Sequence, residues 1–261
     1  MALMASSVIS PFYVEVRPEV RTSYVSLDKI VEDRPMQVML LRAGADFGEF
    51  GRAGVYNWDV SSLTDRKADI HRHALYHWEW GPFYQYDLNL AEEWTLKSDV
   101  ICAWTIYHGF KPEYKSQQIV AWWWQLSESL ENPYIVPFWM MRRCLRPSDY
   151  FHARIGLRRG FSVWRSLVLT PSVSVSGGSS RDYRRMFGEN VVGGSWGAGG
   201  MFSLSFRLEA SWRFDEHFTA FAFVEQYDII GDDARETTAA SDVDWQHKDF
   251  AVGGVGLRMK F

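Results

Sequence analysis

Three histidines and a glutamate stand at alternate positions in one short stretch of this chain: His71, His73, His77 and Glu79. Alternate residues of an extended strand share a side, so these imidazoles could gather on one face as ligands of a transition metal. His71 and His73 are the expected chelating pair at the head of a strand, with His77 below them. The plainer reading is a solvated, polar base of a loop. A larger set of side chains carries charge rather than ligating power. The cations are Arg17, Arg21, Arg154, Arg158, Arg207, Arg213, Arg258 and Lys260; the acids are Glu15, Glu19, Asp59, Glu79, Asp87, Asp99 and Glu209. Sharing one enclosed face, they would hold polar or anionic solutes in a focused field.

No other pattern carries specific chemistry. The glycine-rich stretch 177–201 is not followed by Gly-Lys-Ser/Thr, so it makes no phosphate cradle. Asp232, Asp233, Glu236, Asp242 and Asp244 lack the spacing of an EF-hand loop, which leaves a solvated acidic loop as the expectation. Cys102 and Cys144 fit neither a metal spacing nor a disulfide framework. Catalysis needs a nucleophile, a base and an orienting group within hydrogen-bond reach, and no such set stands out. Neither an enzyme nor a cofactor is expected. A net charge of −4 does not point to nucleic acid.

The elements that must position the charges are strands. The chain has 261 residues, 47% of them apolar and 16% aromatic, including 13 Trp. Its mean hydropathy is nonetheless slightly negative. No apolar run approaches the roughly 18 residues of a spanning helix. Instead, apolar residues alternate with polar ones along most of the chain. At the C-terminus Ala251, Gly253, Val255, Leu257, Met259 and Phe261 alternate with Phe250, Val252, Gly254, Gly256, Arg258 and Lys260. Phe202, Leu204, Phe206, Leu208, Ala210, Trp212 and Phe214 alternate likewise with Ser203, Ser205, Arg207, Glu209, Ser211 and Arg213.

Twelve such runs span residues 12–261, preceded by an N-terminal segment, 1–11, that is expected to be a remnant or an addition. The third run sets Gly54, Tyr56, Trp58 and Val60 against Val55, Asn57, Asp59 and Ser61. Two runs are less regular. The seventh, about Tyr134 to Cys144, is apolar on both faces. In the eleventh Glu225 falls in register with Phe221 and Phe223. Links after even-numbered runs are short: 48–51, 91–93, 131–133, 162–164 and 215–217. Links after odd-numbered runs are mostly long: 28–35, 64–74, 111–116, 177–201 and 231–247. Sandwiches have no reason to sort loop length by parity. Several runs also exceed the roughly 9–11 residues that a tilted strand needs to cross hydrocarbon.

This pattern, with its terminal aromatic and one-sided loops, resembles the bacterial outer-membrane β-barrels, in particular the small twelve-stranded porin-like class. The resemblance implies a closed antiparallel up-and-down barrel with short periplasmic turns and long external loops. It also implies lipid and lipopolysaccharide around the wall, and recognition of the C-terminal strand 248–261 by the barrel-assembly machinery. Two interfacial aromatic belts are expected, one from Trp94, Trp164, Trp212, Phe214 and Phe261, the other from Trp58, Tyr76, Trp78 and Trp80. Residues 1–10 lack the features of a signal peptide, so a leader is expected to have been removed. His108 has the outward parity seen in outer-membrane phospholipases, but no serine and asparagine match that family. The expected function is passive passage of small hydrophilic solutes, anions among them, between a basic and an acidic wall. The alternative is a side-chain-filled barrel acting as scaffold, adhesin or envelope-complex partner.

Overall fold

The structure, a computed structural model, describes residues 12–26, 29–32, 34–63, 76–108, 119–146, 150–178, 201–230 and 249–261. Twelve antiparallel strands follow one another around a closed ring. They are β1 (Phe12–Arg21), β2 (Met36–Asp46), β3 (Arg52–Ser62), β4 (Tyr76–Ala91), β5 (Trp94–His108), β6 (Ile119–Glu131), β7 (Val136–Arg146), β8 (Tyr150–Arg158), β9 (Leu167–Gly178), β10 (Met201–Arg213), β11 (Phe218–Ile230) and β12 (Asp249–Lys260). Each pairs with its sequence neighbours, and β1 closes the ring on β12. A short ribbon, Tyr24–Ser26 with Lys29–Glu32, lies between β1 and β2.

Closure rests on the two chain ends. Val14 and Phe261 exchange backbone hydrogen bonds of 3.0 and 2.9 Å, so the last residue is held in the ladder. Its ring stacks on His217 and meets Phe218 edge-on. The β1–β12 register skips Arg17 and Pro18, because a proline has no N–H to give.

The short turns at one end are tied by their own side chains. Asp46 Oδ1 accepts from Gly48 N, Asn132 Oδ1 from Tyr134 N and Ile135 N, and Asp215 Oδ1 from His217 N and Phe218 N, at 2.7–3.0 Å. Asp and Asn suit such tight turns because their carboxyl or amide oxygen mimics a backbone acceptor. One turn differs from the sequence expectation. Phe161–Trp164 is strand, continuing β8 beyond Arg159 and Gly160, and the chain reverses at Arg165 and Ser166. Arg165 takes a positive φ of 41° there.

The outer wall is apolar. Phe12, Val55, Ile155, Phe206, Leu208, Val224, Val255 and Leu257 all face outward and are exposed. Among the described residues, buried side chains lie inside the ring, many of them in two clusters. The first gathers Tyr13, Leu40, Tyr56, Phe83, Ile101, Ala103, Ala121, Trp123 and Cys144. The second gathers Phe221, Phe223, Tyr227, Phe250 and Val252, with Val25 of the ribbon against it. The facing of two undecided runs is thereby fixed. β7 turns Val136, Met140, Arg142 and Cys144 inward, and β11 turns Phe221, Phe223, Glu225, Tyr227 and Ile229 inward.

β3 corrects the sequence expectation outright. Tyr56 is 5% and Val60 0% exposed, whereas Val55 is 56% exposed. Trp58 therefore looks into the barrel and Asp59 out of it, the reverse of their assignments to the aromatic belt and to the acidic lumen. The cause is that the interior takes rings where arginines cover them: the Arg17 and Arg21 guanidinium groups lie 5.6 and 5.4 Å from the Trp58 ring. Asp59, paired with Trp78, sits at the height of an outward tryptophan row, where polar headgroups reach the wall.

Gly44 and Gly54 face each other across β2 and β3. A Cβ on either would come within 2.1 Å of a backbone oxygen of the other strand. Gly54→Ala should therefore force the two strands apart and lower stability by about 1–3 kcal/mol. A urea midpoint in detergent equal to that of the wild type would show that the strands already have room.

Candidate functional site: the charged lumen

The inward strand faces carry ion pairs, and several of the pairs reach around the ring. Arg42 Nη2 of β2 lies 2.7 Å from Asp99 Oδ2 of β5. Arg142 Nη1 of β7 lies 3.8 Å from Glu79 Oε1 of β4. Arg154 Nη1 of β8 lies 3.3 Å from Glu225 Oε1 of β11. Each spans three strand steps, a quarter of the circumference, so each is a chord near the wall and not a bar through the axis. Shorter links complete the set: Arg158 to Glu131 across β7, Arg207 to Glu225 and Glu209, and Arg17 and Arg21 to Glu19.

The residues beneath each chord explain its path. Arg42 crosses the rings of Tyr56 and Phe83 at 5.8 and 5.4 Å from their centroids. Arg142 lies 3.9 Å above the Trp123 ring. Arg154 passes over a wall of serines, where Ser174 bonds Ser205 and Ser176 bonds Ser203, each at 2.7 Å. Small hydroxyls leave space for a long side chain to cross, and aromatic faces attract one.

Glu79 is the most enclosed acid of the lumen, at 2% exposure. Its Oε2 accepts from Tyr56 OH at 3.1 Å, and its Oε1 from Thr105 Oγ1 at 3.2 Å. His77 Nε2 lies 2.9 Å from Oε1. Thr105 Oγ1 is itself an acceptor for Trp123 Nε1 at 2.7 Å. A carboxylate so surrounded is neutralised by Arg142 and solvated by neutral donors in place of water.

The other sequence-predicted residues divide by place. Glu15, Arg17, Arg21, Glu79, Asp99 and Arg154 border a cavity of about 490 Å³. Asp87, Asp99, Arg158 and Lys260 border a second, of about 460 Å³. Arg258 lies over the Phe221 ring. Arg213, the last residue of β10, is exposed at the short-turn rim. The two walls are not segregated by sign. Arg42, Arg52 and Lys97 stand among the acids, and Glu15, Glu19 and Glu225 among the cations. Arg42, Arg142 and Glu225 are functional candidates that the sequence reading left out. An arginine at inward parity in β2 was the available signal for the first; the undecided facing of β7 and β11 hid the others.

Apart from Trp58, the described aromatic-belt residues stand on the outer wall. Trp78 and Trp80 stack at 6.2 Å, Trp80 and Trp104 at 4.8 Å, and Trp122 meets Trp104 at 4.7 Å, forming a row toward the long-loop end. Trp94, Trp164, Trp212, Phe214 and Phe261 are exposed toward the short-turn end. Tyr76 opens β4; its side chain is outside the described residues. His71 and His73 also lie outside them, so the three-histidine site reduces here to His77 beside Glu79. Among the described residues, no group of three His, Cys, Asp or Glu is placed to hold a metal.

Replacing Glu79 with alanine should strand Arg142, Tyr56 and Thr105 and cost about 3–5 kcal/mol. Glu79→Gln, which keeps one acceptor oxygen, should cost less. Urea midpoints followed by tryptophan fluorescence rank the variants; an unchanged midpoint for Glu79→Ala would remove the network from the stability of the barrel.

No family model matches the chain, and no curated protein matches its sequence. Among solved structures it is similar to the NanC porin, with a TM-score of 0.51 and 8% identity over 95% of this chain and 100% of that one. Alignments also cover the KdgM porin in complex with disordered oligogalacturonate (TM-score 0.49, 7% identity, 95% and 99% of the two chains). A third is the translocator domain of autotransporter NalP from Neisseria meningitidis (TM-score 0.49, 10% identity, 96% and 88%). At such identity the likeness is one of fold. The chain is a closed, twelve-stranded antiparallel β-barrel, the fold seen in outer-membrane porins, and its apolar outer wall suits it to lipid.

Proposed function

We propose that this barrel is a passive channel for small hydrophilic solutes, with a preference for anions. One observation carries the reading: the two interior cavities, of about 490 and 460 Å³, share Asp99 and Met140 in their linings and so meet end to end along the lumen. Each is large enough for a small polar solute. The ion pairs that line them run as chords, which supports an axis left open to water. The larger cavity is bordered by five arginines, Arg17, Arg21, Arg42, Arg142 and Arg154, against four carboxylates, Glu15, Glu79, Asp99 and Glu225. Guanidinium groups stay charged at any physiological pH, and this modest excess favours anions.

A second reading, a closed barrel serving as scaffold or partner, draws on the ring cluster of Phe221, Phe223, Tyr227 and Phe250 with Val25 packed on it. Planar-bilayer recording separates the two. The channel reading expects reproducible single-channel steps and a reversal potential on the anion side in a salt gradient. Arg154→Gln with Arg207→Gln should move that potential toward cations, most clearly at low ionic strength. Absence of steps from refolded wild-type protein would leave the closed barrel.

We also infer that strand 248–261 is what the assembly machinery reads, and that the outer tryptophan row meets lipopolysaccharide. Phe261 is exposed at the end of the last strand while its backbone closes the ring. Phe261→Ala should lower the heat-modifiable, folded fraction in cells several-fold while leaving refolding into detergent nearly intact. Equal losses in both settings would assign Phe261 to stability alone.

A further inference from the structure

Near its short-turn end the outer wall carries a carboxylate where an apolar side chain belongs. Glu128 lies on β6 between Leu126 and Leu130, in the outward set of that strand, because Trp123 and Ser129 are buried inside. It is three residues from the strand's short-turn end, roughly 7 Å along the barrel axis from that end. Periplasmic-side lipid covers the wall at that depth. Two neutral donors hold it: Ser98 Oγ of β5 at 2.9 Å to Oε1, and Trp139 Nε1 of β7 at 2.6 Å to Oε2. The three side chains form a row across adjacent strands, since Ser98 faces Glu128 and Glu128 faces Trp139 in the ladder. Tyr86 continues the row on β4.

This carboxylate differs from every inward one with a defined role. Among the described residues it has no Lys, Arg or His within ion-pair distance. A charge facing hydrocarbon costs free energy unless it is paired. Two fixed donors orient both carboxylate oxygens but leave the net charge in place. No described residue supplies the missing cation, and one that arrives at the depth of the periplasmic leaflet must be joined to something apolar enough to lie against Leu96, Leu126, Leu130 and Pro137.

We propose that Glu128, with Ser98 and Trp139, is a binding site on the lipid-facing wall for a phospholipid bearing a primary ammonium headgroup. The ammonium supplies both the charge and N–H donors for the outward lone pairs of Glu128. The acyl chains lie along the neighbouring leucines. A quaternary ammonium brings the charge without the donors, and a glycerol headgroup brings neither charge, so the site selects among phospholipids by headgroup. Orientation of the carboxylate by Ser98 and Trp139 is what distinguishes this notch from a stray surface acid.

Native mass spectrometry of the full chain tests the assignment. The barrel is released from mixed micelles holding equal amounts of phosphatidylethanolamine, phosphatidylcholine and phosphatidylglycerol. Wild type should retain phosphatidylethanolamine about tenfold over phosphatidylglycerol, as a charge-assisted hydrogen bond implies, and less strongly over phosphatidylcholine. Glu128→Gln should lose the preference while keeping the folded, heat-modifiable band. Ser98→Ala, a second and milder variant, should weaken it without abolishing it. Equal retention of the three lipids by wild type, the same preference in Glu128→Gln, or a dimer that replaces lipid adducts would each overturn the proposal; the last would assign the notch to a second copy of the chain.

Discussion

Every backbone N–H and C=O that crosses hydrocarbon must find its partner within the chain, and that single constraint determines the rest of this structure. An open sheet would leave two edges unpaired in lipid, each backbone group at a cost of several kcal/mol. Twelve strands meet the constraint by closing on themselves, and the closure falls where β1 meets β12 with Val14 and Phe261 exchanging bonds. Once the ring is closed most of its outer face has to be apolar, and most charge has to point inward. The lumen takes up the greater part of the charged side chains as a consequence of the wall and before any question of transport.

Inside, the charges face a second constraint. A twelve-strand ring is wider than the eight-strand barrels that side chains fill, yet too narrow for all of its charges to be bathed in bulk water. Arginine resolves this better than lysine could. Its flat guanidinium lies on a ring while its edge donates to a carboxylate. Arg42 does both at once, over Tyr56 and Phe83 and against Asp99. Arg142 repeats the arrangement over Trp123 toward Glu79. The interior is therefore neither a greasy core nor a water pipe lined only by polar groups. It consists of aromatic floors with cations laid across them.

That composite interior explains what could be read from the amino-acid order and what could not. β10 and β12 are legible because their inward faces are mostly serines, glycines and charges, so polarity and facing coincide. β3 misleads because its inward rings, Tyr56 and Trp58, are covered by arginines from β1 and β2. Nothing within β3 reveals those neighbours, since they arrive from strands about 15–40 residues away in sequence. β11 withholds its facing for the same reason: Glu225 shares a face with Phe221 and Phe223 because Arg154 and Arg207 pair with Glu225, Arg207 covers Phe223 and Arg258 covers Phe221. Alternation sees only two classes of residue, and a ring beneath a guanidinium belongs to both. The turn at Arg165 is hidden by a different cause. Arg159 and Gly160 interrupt the alternation of β8 early, while the strand itself runs on to Trp164.

The chords also set a limit on how selective such a lumen can be. An arginine held by its own carboxylate presents little net charge to a passing solute, so pairing that stabilises the wall weakens the field along the axis. What remains is the small excess of arginines around the larger cavity and the unpaired faces of the guanidinium groups. Glu79 adds little to repel an anion, because Tyr56, Thr105 and Arg142 already surround it. Asp99 has more reach, since it borders both cavities and its side chain is 24% exposed. For the proposed channel, discrimination therefore concentrates where the two cavities join, at the Arg42–Asp99 chord, and the aromatic floors on either side act mainly to hold the arginines at a fixed height above the wall.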